Sequence, residues 1–250
     1  MQYKYQLNEK YSECLEFLQN IKSHFSKSSQ SIHKARNELK ILSCNDKSVV
    51  VKSFKVPHLL NRVIYSFFRT SKAHKSYEYA LKISKFTPEP IGYIEFYEFF
   101  LLTKSYFISE TFEYDFTIRE PLLDETFADR EKIFQAFAKF TYDLHEAQIL
   151  HHDYSPGNIL IKKEDENGDY IFKIVDINRM EFKTLSLETR MQNFSKLWAS
   201  DEALSVILKE YAKSANENEN LCLELGLNFS HTHKKRKNFK KRLKGEKVVD

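Results

Sequence analysis

Apolar residues recur at helical intervals along some stretches of the chain and alternate or run together along others. Tyr3 to Leu7 alternates weakly and predicts a short edge strand. Between Glu9 and His24, Tyr11, Cys14, Leu15, Leu18 and Ile21 repeat at three- and four-residue steps, which predicts one amphipathic helix. A polar stretch, Ser26 to Ser31, precedes the runs Ile32 to Ser43 and Lys47 to Val56. These predict a hairpin about the turn-prone pair Asn45-Asp46. Pro57 to Phe86 predicts a long helical region with Leu59, Leu60, Val63, Ile64, Phe67 and Phe68 apolar, ended at Pro88-Glu89-Pro90. Ile91 to Leu102 and Lys104 to Glu110 predict antiparallel strands, and Glu110 to Asp115 a hinge.

Helical spacing then dominates. From Phe127 to Leu144, Ile133, Phe134, Phe137, Phe140, Thr141 and Leu144 fall on one face. Asn158 to Lys163 and Tyr170 to Val175 predict a hairpin through the polar segment Glu164 to Asp169. Ser186 to Ala212 predicts further helix, with Phe194, Leu197, Trp198, Leu204, Ile207 and Leu208 packing a core. Apart from a basic end, the chain has no low-complexity sequence or internal repeat.

The candidate chemistry sits between these periodic segments. His151-His152-Asp153-Tyr154-Ser155-Pro156-Gly157-Asn158 is an H-x-D-x-x-x-x-N sequence running into the apolar run Ile159-Leu160-Ile161, and Ile174-Val175-Asp176 ends the next such run. That is the spacing of a kinase catalytic loop and its metal-binding aspartate. Phosphoryl transfer needs a positioned hydroxyl and divalent metal over the phosphates. Asp153 would take the hydroxyl proton, while Asn158 and Asp176 would offer Mg²⁺ the oxygen ligands it prefers. Each residue alone is an ordinary loop residue; their order between two β-type runs is the signal. Lys52, in Val49-Val50-Val51-Lys52, matches a phosphate-holding strand lysine, and Glu78 is its candidate ion-pair partner. Glu110 opens the hinge whose backbone would read an adenine edge. Arg62, Arg69, Lys72 and Lys75 form either a solvated face or a site for an anionic acceptor. His145, His151 and His152 do not suit Mg²⁺, and His151 is expected to brace the loop.

Composition narrows the class. With 250 residues, 42% hydrophobic and 14% aromatic, the chain can fill a substantial two-lobed core. Cys14, Cys44 and Cys222 are widely spaced without a C-x-x-C pair, which argues for a reducing compartment and against a disulfide frame or structural zinc. The N-terminal residues do not form a signal peptide and no apolar run approaches a membrane span, so a cytoplasmic location is expected. The net charge of +4 is uneven: residues 234 to 247 carry nine Lys/Arg and one Glu, leaving the remainder at about −4. Such an end is either a solubilising tail or a contact for an anionic surface, such as the inner face of a membrane. Nucleic acid is disfavoured, because Phe239 is the tail's sole stacking aromatic.

The order Lys52, Glu78, Asp153, Asn158, Asp176 resembles the protein-kinase-like superfamily over roughly residues 30–210. More closely, Ser155-Pro156-Gly157-Asn158-Ile159-Leu160 and Val175-Asp176-Ile177-Asn178-Arg179-Met180 are similar to the bacterial lipopolysaccharide kinase family, relatives of the Kdo and core-heptose kinases. Lys34-Ala35-Arg36-Asn37 and Trp198-Ala199-Ser200-Asp201 add to the resemblance. It implies an α+β, two-lobed, protein-kinase-like fold: a small β-rich lobe over 1–110, a larger mainly helical lobe over 111–233, then the basic tail 234–250. It also implies ATP with Mg²⁺, and a sugar hydroxyl of lipopolysaccharide core or another anionic glycolipid as acceptor. The chain departs from protein kinases in places. No glycine precedes Gly92, so a G-x-G-x-x-G flap is absent and Ser26 to Asn37, with Lys34 and Arg36, is the candidate phosphate cover. His152 replaces the Arg of H-R-D, and Asp176-Ile177-Asn178 replaces D-F-G with no A-P-E following, so activation-loop switching is not expected. A protein kinase, a small-molecule phosphotransferase and a nucleotide-binding pseudokinase are the alternatives.

Overall fold

Lys47 to Phe54 turns Val49, Val51 and Phe54 inward, and strands of the same alternating habit join it in one sheet. The computed structural model describes residues 2–28, 31–34 (backbone alone), 37–55, 69–164 and 168–246, in two units, Met1–Glu113 and Tyr114–Asp250. In the first unit β1 (Gln2–Leu7), β2 (Ser31–Lys34), β3 (Glu38–Cys44), β4 (Lys47–Phe54), β5 (Pro90–Glu98) and β6 (Leu101–Glu110) form a six-stranded sheet in the order β1-β5-β6-β4-β3-β2. Every neighbouring pair is antiparallel. One face packs Tyr11, Leu18, Ile21 and Phe25 against Val49, Val51, Ile94 and Ile108. The other packs Phe54, Tyr93 and Phe107 against α3 (Lys72–Lys82), whose Ser71 cap accepts from the His74 N–H.

Several expectations for this unit change. The single helix over Glu9–His24 is instead a 3₁₀ turn, Glu9–Cys14, followed by α1 (Leu15–Gln19) and α2 (Ile21–Lys27). Tyr11 breaks the helical backbone at φ −125°, and Leu15 is left exposed. Of the long helix from Pro57, the described part is α3; residues 57–68, Arg62 among them, lie outside the described residues. The β5–β6 turn falls at Phe99-Phe100 rather than beside Thr103, because Glu98 pairs with Leu101 across a two-residue loop. Cys14 and Cys44 form a disulfide with Cα atoms 6.0 Å apart, which overturns the inference drawn from their spacing. The bridge joins the end of the 3₁₀ turn to the end of β3, residues 30 apart in sequence, and spacing alone carries no trace of that.

The second unit is mainly helical. β7 (Phe116–Thr117) and α4 (Arg119–Leu123) lead to α5 (Arg130–Glu146), which buries Ile133, Phe134, Phe137, Thr141 and Leu144. β8 (Ile149–His151) follows, then the hairpin β9 (Ile159–Lys163) and β10 (Tyr170–Ile174), paired Ile159 to Ile174. β11 (Met180–Phe182) pairs back on β8, putting Met180 opposite His151. α6 (Leu187–Phe194), α7 (Asp201–Ala215) and α8 (Glu219–Leu243) begin at Ser186, Ser200 and Asn218, each capping with its side-chain oxygen. The continuous helix expected over Ser186–Ala212 is therefore two helices. Trp198 breaks it in a left-handed conformation, φ 57°, and is 39% exposed instead of packed in the core. The basic run is helical as far as Leu243. Gly226 lies so close to Leu208 that any side chain there would overlap it, which lets α8 settle on α7.

Candidate active site

The catalytic-loop sequence forms a short link between two strand pairs. β8 ends at His151; Pro156–Asn158 makes a 3₁₀ turn, and β9 starts at Ile159. Pro156 suits the first helical position, where its missing N–H costs nothing. A Cβ on Gly157 would meet the Arg119 guanidinium, which lies against the loop at that residue. The Val175 N–H donates to Asn158 O at 2.9 Å, so Asn158 and Asp176 stand side by side at one end of the hairpin. Arg179 O accepts the His152 N–H at 3.2 Å and ties the segment after Asp176 to the loop.

His151 makes this junction rigid. It is fully buried; its Nδ1 takes the Asp153 N–H at 3.1 Å, and its Nε2 lies 3.0 Å from Val175 O. An Nδ1 that accepts and an Nε2 that donates define one neutral tautomer. Burial holds this imidazole below its ordinary pKa, against the opposing pull of Val175 O and of the Asp153 and Asp176 carboxylates. Both carboxylates act electrostatically on the same buried ring. Asn193 of α6 donates through Nδ2 to His151 O at 3.0 Å, and its Oδ1 accepts from His145 Nε2 at 3.1 Å; His145 Nδ1 meets Tyr211 OH at 2.9 Å. Burial lowers His145 to about 4. His152, by contrast, is exposed and pairs with Glu181 at 3.1 Å.

The acid and amide side chains are oriented from within. Asn158 Nδ2 donates to Asp153 O at 2.9 Å, which leaves the amide oxygen as its remaining donor of electrons. Asp176 adopts φ 57°, ψ 43°, and its Oδ1 accepts from Asn178 Nδ2 at 2.6 Å. A left-handed backbone costs a residue with a Cβ about 1–2 kcal/mol, less for Asp. Arg179 Nη1 lies 3.8 Å from Asp153 Oδ2. An amide oxygen and a carboxylate are hard donors that fit Mg²⁺, which completes its shell with water and phosphate oxygens. Among the described residues no cluster of three His, Cys, Asp or Glu could itself hold a metal.

The other anticipated residues lie in the first unit. Lys52 sits in β4 opposite Leu39 and Phe107, with its ammonium 5.4 Å from the Phe54 ring centre. Glu78, on α3, pairs with His74 at 3.4 Å rather than with Lys52. His74 stacks on Tyr93 with ring centres 4.3 Å apart, so the glutamate's partner comes from its own helix, one turn earlier. Glu110 ends β6 opposite Val49, and its N–H donates to Glu89 O at 2.9 Å. Lys34 lies in β2, described in backbone alone; Arg36 and Arg62 lie outside the described residues. Arg69 is exposed, just ahead of α3.

Three residues close to the loop escaped the sequence reading: Arg119 against Gly157, Arg179 beside Asp153, and Lys196, which acts electrostatically on Asp153. Arg179 follows Asp176 closely enough for a strand-end pattern to have flagged it. Arg119 and Lys196 come from distant segments and had no local signal.

The model of the lipopolysaccharide kinase (Kdo/WaaP) family matches residues 119–216. No curated protein matches the sequence. Among solved structures, the chain is similar to WaaP in complex with acyl carrier protein, with a TM-score of 0.62 at 12% identity, covering 93% of this chain and 97% of that one. It is also similar to the Rio2 kinase of Chaetomium thermophilum in its ADP/Mg²⁺–phosphoaspartate complex, with a TM-score of 0.51 at 15% identity, covering 90% of this chain and 72% of the other.

Proposed function

We propose that the chain, which is similar to the lipopolysaccharide kinase (Kdo/WaaP) family over residues 119–216 and shares the fold of WaaP, is a kinase that transfers the γ-phosphoryl group of ATP to a sugar hydroxyl, on Kdo or heptose, of a lipopolysaccharide inner core. The observation that carries the reading is the junction of Asp153, Asn158 and Asp176 at one hairpin end, locked by the neutral ring of His151. In this reading Asp153 takes the proton of the acceptor hydroxyl as its oxygen bonds to the γ-phosphorus and the bond to ADP breaks. Asn158 and Asp176 hold Mg²⁺, which when bound neutralises charge building on the phosphates. Arg179, 3.8 Å from Asp153, helps to orient the base. Lys52 holds the α- and β-phosphates, and the backbone after Glu110 meets the adenine. The ADP and Mg²⁺ named in the Rio2 complex support the nucleotide and metal.

Location follows the acceptor. The end of α8 carries Lys240, Lys241, Arg242 and Lys244 beside exposed Phe239 and Leu243, which suits peripheral contact with the anionic cytoplasmic face of a membrane. Among the described residues no helix is long and apolar enough to cross one.

ADP release with deacylated core oligosaccharide, compared among wild type, Asp153→Ala and Asp176→Ala, tests the reading. General-base help is worth about 10²–10⁴ in rate. Both variants are expected to lose at least that much while keeping their fold. Equal turnover in all three would remove the assigned roles. Turnover with a protein or a soluble small molecule alone would move the acceptor class, and nucleotide binding without turnover would make the chain a pseudokinase.

A further inference from the structure

On the second unit, the 3₁₀ turn after α6 and one face of α8 enclose a pocket of about 240 Å³. Lys196, Arg236, Lys237 and Lys240 line it together with His233, and no carboxylate does. Among the described residues none of the four cations forms an ion pair or hydrogen bond. Like charges gathered without a counter-ion repel one another, and the molecule shows that tension. Lys196 is pressed below its ordinary pKa by burial and then by Lys237 and Arg236, with Asp153 pulling the other way. His233 is held at about 4 by burial and by the same three neighbours, Lys196, Lys237 and Arg236. At neutral pH the imidazole is uncharged and the pocket still concentrates positive charge.

The pocket is joined to the catalytic loop by structure as well as by charge. Its wall begins at Gln192; the next residue, Asn193, donates to His151 O at 3.0 Å, and Lys196 acts directly on Asp153. A carboxylate would bring one charge and two oxygens to four cations. A phosphate monoester brings close to two charges and three strong acceptor oxygens, and charge-assisted bonds of this kind are roughly twice as strong as neutral ones. We propose that this pocket seats a phosphate monoester of the acceptor, so that the enzyme takes a sugar that already carries phosphate beside the hydroxyl it modifies. The substrate class rests on the kinase reading above; the anion site itself does not.

The chain's single tryptophan supplies a probe. The Trp198 ring lies 6.1 Å from the His233 ring and 5.8 Å from the Lys241 ammonium, at the edge of this cluster. The full chain is titrated with glycerol 3-phosphate, inorganic phosphate and glycerol, following Trp198 fluorescence and the His233 proton resonances. Both phosphates are expected to saturate, glycerol to do nothing, and the His233 pKa to climb from about 4 as the anion arrives. Lys196→Gln combined with Arg236→Gln is expected to weaken phosphate binding by about tenfold or more. Lys162→Gln, which removes one cation from an exposed stretch of β9, leaves it unchanged.

Asp153→Ala separates the two readings, because it ends turnover on the kinase reading yet leaves the anion site in place. Phosphate binding through these cations in a chain without turnover keeps the site and removes the kinase. Turnover in a chain whose phosphate binding is absent, or is indifferent to the double substitution, overturns the site. A raised KM for phosphorylated core in Arg236→Gln, with kcat little changed, supports it. Vesicles of phosphatidic acid are the other source of the same group. Their displacement by glycerol 3-phosphate places both in this pocket, whereas vesicle binding that ignores the double substitution, with no glycerol 3-phosphate response, overturns the proposal.

Discussion

His151 shows what one residue contributes. Its ring satisfies an N–H of the loop and a carbonyl just past β10 at once, both part-buried, so removing it strands two polar groups. Leaving a buried donor or acceptor unpaired costs about 1–3 kcal/mol. His151→Phe, which keeps an aromatic ring but loses both bonds, is expected to destabilise the second unit by about 2–5 kcal/mol in urea denaturation. A change under about 0.5 kcal/mol would mean that the ring only fills space. The role of His151 was legible because it begins a recognisable loop. Its bond to Val175 O was not, since that needs the strand 24 residues later. Glu78 shows the opposite outcome: a glutamate at the anticipated position whose helix offers it His74 one turn earlier, at 3.4 Å.

At the scale of elements, α5, α6 and α7 meet through one buried chain, Asn193 to His145 to Tyr211. Burial is what lowers His145 to about 4 from an unfolded value of 6.5. Between those values the unfolded chain binds a proton that the folded one refuses. The contribution is therefore complete above pH 6.5 and is lost as pH falls toward 4. It amounts to about 3 kcal/mol. Urea denaturation at pH 7 and pH 4.5 should show that loss in wild type and a smaller one in His145→Gln. Equal losses would deny the residue this part. Element boundaries were the less legible feature. Phe99 and Phe100, 95% and 69% exposed at φ 49° and 61°, occupy a turn that favours Asn-Gly, so apolar pattern alone pointed to the polar residue nearby. Trp198 likewise broke a run whose periodicity continues across it.

For the whole molecule, charge is the property that sequence counts correctly and structure redistributes. Of the residues that carry this +8, those up to Arg242 lie on a helix packed on its own unit, so Arg236, Lys237 and Lys240 face the phosphate pocket while Lys241 and Arg242 lead on toward Lys244. Co-sedimentation with phosphatidylglycerol vesicles is expected near 0.1 M salt and to be lost near 1 M, where the screening length falls from about 10 Å to about 3 Å. Lys241→Gln, Arg242→Gln and Lys244→Gln together should weaken it without changing glycerol 3-phosphate binding; unaltered sedimentation would remove the membrane contact. The sequence by itself determined the hairpins β3–β4 and β9–β10, the strand pair β5–β6, most of α5 and the succession Asp153, Asn158, Asp176, because periodicity and loop spacing are set by residues within a few positions of each other. Only the tertiary structure decided that Cys14 meets Cys44, that Glu78 turns to His74 and that Lys196 stands with Arg236 near the loop. Those partnerships join segments far apart in the chain or choose among rival neighbours, and packing makes that choice.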